Sequence, residues 1–108
     1  MPPVKRKRVN KMTRYELECI YDTHKSFYGK AFVEIQEASK ACDPCKTLYS
    51  YNTKVASIFY HDLPNCEYDE TFEIYGFYSS TTLRHIKEFA QQEGYPAMTK
   101  KQLEQYGV

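Results

Sequence analysis

Nowhere in this chain do about 18 apolar residues run together, there is no tryptophan, and the first 14 positions hold no acid. The first absence gives no sign of a membrane-spanning helix, and the opening MPPVKRKRVNK lacks the apolar core of a secretion signal. The expected setting is therefore a cytoplasm. Thiols stay reduced there, so the four cysteines point to metal binding or burial rather than to disulfides, with pairing by oxidation as the alternative. Without tryptophan, the aromatic content falls on six phenylalanines and 11 tyrosines, a composition that favours strands and partly exposed aromatic surfaces over an all-helical core.

The missing N-terminal acids expose an asymmetry behind the net charge of +1. Six of the 15 basic residues lie in residues 1–14, leaving nine against all 14 acids in residues 15–108, a net of −5. Residues 1–12 read as a basic, disordered leader and residues 13–108 as one domain, the size at which a core is adequate but not generous. An acidic body suits a partner with a basic surface, because complementary fields speed and orient encounter. The leader's other reading is a weak contact with a nucleic-acid backbone.

Period-two alternation marks the strands. Tyr15, Leu17, Cys19 and Tyr21 fall on one face of a first strand, and Ala31, Val33 and Ile35 on one face of a second over Lys30–Glu37, with a turn at Gly29. Lys46–Tyr51 and Lys54–Tyr60 read as a hairpin turning at Asn52-Thr53, and Thr71–Phe77 as a fifth strand. The period then changes. Ser79 or Ser80 caps a helix whose stripe is Leu83, Ile86, Phe89 and Ala90, closed by Gly94; Thr99 and Gln102 stand at capping-box spacing ahead of a short final helix. The expected fold is α+β, an antiparallel sheet of about five strands packed with a C-terminal helix.

The segment CDPCKTLYSYNTKVASIFYHDLPNC concentrates metal-ligating residue types. A hairpin centred on Thr53 sets Cys45 opposite His61, with Cβ atoms about 4.5–5.5 Å apart. Cys42 joins Cys45 through C-x-x-C spacing, and the Pro64-Asn65 bend can return Cys66. The expected set is Cys42, Cys45, His61 and Cys66 around a structural zinc, a closed shell with no position left for water or substrate, so the chain is not expected to be an enzyme. Other readings of these residues are buried thiols, a redox pair and a Cys66–His61 nucleophile. The redox pair would need a helix after the C-x-x-C where a β-like run follows, and the nucleophile has only Asp62 as an orienting acid. His24 reads as a surface loop residue and His85 as a hydrogen-bonded histidine bordering the helix stripe.

The strings SFYGKAFVE, LYSYNTKVASI and YSSTTLRHIKEFAQQEGYPAMTKKQLEQYG resemble a family of small phage, prophage and plasmid proteins of Gram-positive bacteria over roughly residues 13–107. The SYNTKVA and TTLRHIKEF motifs identify that family but carry no known catalytic role, and the cysteines around Cys42–Cys45 and His61–Cys66 depart from its simpler members. Within this class the chain is similar to metal-containing anti-CRISPR proteins of streptococcal phages. That resemblance implies an inhibitor that binds the host's type II CRISPR-associated nuclease in the bacterial cytoplasm and blocks loading or cleavage of target DNA. No membrane partner is expected. The alternative is a small phage DNA-binding regulator, with Thr99, Lys100, Lys101 and Gln102 heading a reading helix and the basic tail assisting.

Overall fold

A computed structural model describes residues 12–23, 25–37, 44–62 and 68–108. Five strands, β1 (Met12–Glu16), β2 (Ala31–Gln36), β3 (Cys45–Ser50), β4 (Thr53–Asp62) and β5 (Tyr68–Ile74), form one antiparallel sheet in chain order. Helix α1 (Ser80–Gln92) crosses one face of it, followed by the single turn α2 (Lys100–Leu103) and a 3-10 turn at Glu104–Tyr106. The fold is α+β, as the alternation of Ala31/Val33, Ala56/Ile58 and Phe72/Ile74 followed by a helical stripe implies. These residues and Leu48 meet Ile86, Phe89 and Ala90 of α1 in a fully buried core. Phe72 meets the tilted rings of Tyr95 and Tyr106, with centroids 4.9 and 4.8 Å away, and Leu103 is buried.

Local sequence sets the ends of α1. The Ser79 hydroxyl accepts from the Thr82 N–H at the start. At the other end Gly94 adopts φ 101°, and the Gly94 and Tyr95 N–H groups return to the Gln91 and Ala90 carbonyls in a Schellman closure. Thr99 and Gln102 form the expected capping box, each side chain bonding the other's backbone N–H. Those side chains are therefore engaged with each other, on a helix of one turn.

Three expectations need correction. The first strand ends at Glu16 and does not run on to Tyr21, although Leu17 is buried and its N–H still reaches the Ala31 carbonyl at 2.9 Å. Beyond it the N–H groups of Ile20, Tyr21 and Asp22 leave the sheet for the Glu88 carboxylate on α1. The fifth strand lies earlier than Thr71–Phe77, because Tyr78 in a left-handed conformation (φ 47°) and the Ser79 cap divert the chain into α1.

The third correction concerns the central hairpin. It turns at Tyr51-Asn52, whose φ values of 52° and 66° meet the requirement of a type I′ turn, the form that matches the twist of paired strands. The register also slips between Leu48 and Tyr49, where Leu48 faces Ala56 but Tyr49 faces Lys54. Cys45 consequently stands opposite Phe59, not His61, and His61 pairs with Asp69 of β5.

Candidate functional site

The expected zinc set is only partly described. Cys42 and Cys66 lie outside the described residues, as do His24 and the leader up to Lys11. Cys45 and His61 are displaced along the ladder by two residues. An even shift preserves the face, so both belong to the side of the sheet away from α1, as diagonal neighbours rather than opposed ones. The Cys45 thiol meets Gln36 Oε1 at 3.9 Å and His61 Nε2 lies 3.2 Å from Thr71 Oγ1. A thiolate and an imidazole on one face remain a suitable start for a zinc shell, although no group of three potential metal ligands gathers among the described residues.

That same side carries a second feature. The register places Arg14, Glu16, Phe32, Glu34, Tyr49, Phe59, Asp69 and Glu73 there, Tyr75 donates its hydroxyl to Glu73 beside them, and no described helix packs over it. The opposed pair Phe32 and Tyr49 share the Arg14 guanidinium, 4.7 and 5.2 Å from the two ring centroids, and Glu34 holds its Nη1 at 3.2 Å. Ser57 is buried even here, its hydroxyl 3.1 Å from Thr47 Oγ1. Burial pushes the Tyr49 and Tyr75 phenols up, with Glu34 and Glu73 beside them adding to the effect, so both stay protonated donors at neutral pH. Glu16, Glu34, Asp69 and Glu73 set four carboxylates against Arg14 and Lys54, which makes this an aromatic face of acidic sign.

On the helix side, α1 carries two buried ionisable groups one turn apart. Glu88 accepts from the Ile20, Tyr21 and Asp22 N–H groups at 2.8–3.2 Å and from Gln92 Nε2 at 2.6 Å. It is a latch, closing the loop after β1 onto the helix. His85 is fully buried, and its Nδ1 lies 2.8 Å from Ser50 Oγ. Ser50 continues to Thr82 Oγ1 at 3.0 Å, which in turn accepts from Ser79 Oγ at 3.3 Å. His85 Nε2 is buried without a hydrogen-bond partner. Burial pushes the imidazole down to about 4, against a smaller opposing pull from Asp22, so it is neutral at pH 7. The Cys19 thiol is pushed up by burial and by Asp22 and Glu88, which keeps it protonated and unsuited to nucleophilic work.

Residues 15–105 match the model of a family of unknown function (DUF8033). The chain belongs to that family. The match runs from β1 into the 3-10 turn and so spans the open sheet face, the Glu88 latch and the His85–Ser50 pair. No curated protein and no solved structure matches the chain.

Sequence reasoning placed His85 at the margin of the stripe, whereas it lies inside the fold. Its i, i+3 relation to Glu88 was visible, but two polar residues at that spacing read equally well as an exposed flank. Nothing local marks Ser50, 35 residues away, as the imidazole's partner. No helix among the described residues is long and apolar enough to cross a membrane.

Proposed function

We propose that this chain acts by occupancy, as a binding protein whose recognition surface is the open face of the sheet. The observation that carries the reading is the half-buried array of Phe32, Tyr49, Phe59 and Tyr75 among four carboxylates, over which no described helix packs. Aromatic anchors supply contact area at small entropic cost, and the acidic surround favours a partner of basic surface. The partner implied by the phage-family resemblance, the type II RNA-guided DNA nuclease, fits that requirement, since its channel for guide and target is positively charged. In this reading the protein is an anti-CRISPR inhibitor made by a phage, working in the host cytoplasm without catalytic chemistry.

A structural zinc on Cys42, Cys45, His61 and Cys66 belongs to the same proposal. Cys45 and His61 share the open face, so an ion there would tie the β2–β3 and β4–β5 connections at one edge of the recognition surface and shape it without reacting. The DNA-regulator alternative is less well supported: Thr99 and Gln102 bond each other, and α2 is too short to lie along a major groove.

Mixing the purified protein with guide-loaded type II nucleases tests the reading. A stable complex and lost DNA cleavage are expected, and Asp69→Lys with Glu73→Lys should slow association at least about tenfold, more so at low salt. Absence of a complex at roughly 10 μM, a concentration corresponding to only about 7 kcal/mol of binding, with every nuclease tried would reject it. Metal analysis of the same preparations should find one zinc per chain, lost in Cys45→Ser and kept in Cys19→Ser.

A further inference from the structure

On the other side of the molecule, a cavity of about 290 Å³ opens between the Phe27–Gly29 turn, the Tyr51 turn and the first turns of α1, close to the lower end of the size range of ligand pockets. Its wall includes His85, Phe27, Tyr28, Tyr51, Lys30 and Arg84. His85 is part of that wall although its ring is fully buried, and Ser50, which holds its Nδ1, is not.

The hydroxyl chain behind the ring allows either tautomer, since Ser50 can donate to His85 Nδ1 or accept from it, and one arrangement leaves a donor on the far nitrogen. In that arrangement Ser79 donates to Thr82, Thr82 to Ser50 and Ser50 to His85 Nδ1. The ring's own hydrogen is then on Nε2, the atom without a partner. A buried N–H left unpaired is costly, and an acceptor reaching it from the cavity would recover that cost.

The rest of the wall describes that acceptor's bearer. The Lys30 ammonium, 5.9 Å from the Tyr51 centroid, supplies positive charge at the mouth. Phe27 packs edge-on against His85 at 4.5 Å, and Tyr51 lies tilted at 5.9 Å, leaving aromatic surface for a flat guest. Tyr28 and Tyr51 are both held at φ 52°, a conformation that L side chains rarely adopt, and both rings are more than half exposed at the cavity's rim. Core packing does not account for tyrosine at either position.

We propose that this cavity binds a small aromatic carboxylate, its carboxylate accepting from His85 Nε2–H and facing Lys30 and its ring lying against Tyr51 and Phe27. A carboxylate fits better than a phosphate, because one buried neutral donor can satisfy part of a monoanion but not the desolvation of a dianion. The site stands apart from the open sheet face, and its occupancy does not depend on the function proposed for that face.

The experiment is an NMR titration of the intact protein, following the imidazole nitrogens of His85. In the free protein the Nε2–H tautomer is expected. Phenylacetate should shift the Nε2 signal with a dissociation constant on the order of 1 mM or tighter, as for a good fragment. The neutral isostere phenylacetamide and the ringless acetate should each bind about tenfold more weakly. Lys30→Gln, at an exposed position, should weaken phenylacetate about fivefold without altering the fold, and His85→Phe should abolish the response. If His85→Phe fails to fold, Tyr51→Asn takes its place: asparagine tolerates positive φ, so this variant should gain thermal stability while losing affinity, a combination that a structural tyrosine would not show. An Nδ1–H tautomer, no saturable shift by about 10 mM, a concentration beyond useful fragment affinity, or equal binding of acid and amide would overturn the proposal.

Discussion

Glu88 and His85 stand one turn apart on α1, both withdrawn from water, and their surroundings treat them in opposite ways. The Glu88 carboxylate meets three consecutive backbone N–H groups and a side-chain amide, so its burial is compensated and its effect is to fold the loop after β1 onto the helix. His85 has one nitrogen supported and the other without a partner beside a cavity. Equal burial thus accompanies two roles, and the completeness of the hydrogen bonding separates them: the satisfied group is explained by stability, and the unsatisfied one is explained, in the proposal above, by a guest in the cavity.

The largest effect that tests this contrast is expected at the latch. Glu88→Ala leaves the Ile20, Tyr21 and Asp22 N–H groups without their acceptor and should cost about 3–5 kcal/mol in urea unfolding. Glu88→Gln, which retains one acceptor oxygen, should cost roughly half as much. A loss below about 1 kcal/mol for Glu88→Ala, the scale of one ordinary hydrogen bond, would mean that the loop is held by other contacts and that the contrast fails on that side.

The next effect is the pH dependence contributed by His85. Its folded pKa of about 4 lies below the unfolded value of 6.5, so below pH 6.5 the unfolded chain takes up a proton that the folded one refuses. The stability associated with the neutral ring is therefore complete above pH 6.5 and is lost as pH falls towards 4, by about 3 kcal/mol in all. Unfolding curves across this window should show a slope that His85→Phe lacks. Identical slopes in the two proteins would place the imidazole in contact with water, contrary to its burial. The smallest change is expected for Ser50→Ala, which removes the support of Nδ1 and should cost about 1–2 kcal/mol in thermal unfolding.

The two faces of the sheet extend the lesson. Alternation in Ala31/Val33 and Ala56/Ile58 was enough to announce the face that α1 covers, because period-two patterning records burial directly. On the opposite side, buried Ser57 escaped that logic, since a serine in an alternating strand reads as solvent-facing. The pattern also failed after Glu16. Leu17 and Cys19 keep an inward alternation, but strand pairing stops once the following N–H groups find a carboxylate instead of another strand.

The residue string by itself determined the α+β class, the succession of five strands and a helix, and both helix caps, because periodicity, Ser79, Gly94 and the Thr99/Gln102 pair act over a few neighbouring positions. Tertiary structure decided the hairpin register, which set Cys45 against Phe59, and the company kept by Glu88 and His85. A turn conformer shifts every pairing beyond it by whole residues, and a buried polar side chain is satisfied by groups tens of residues away. Such outcomes depend on how the packed chain closes, and local spacing carries no record of them.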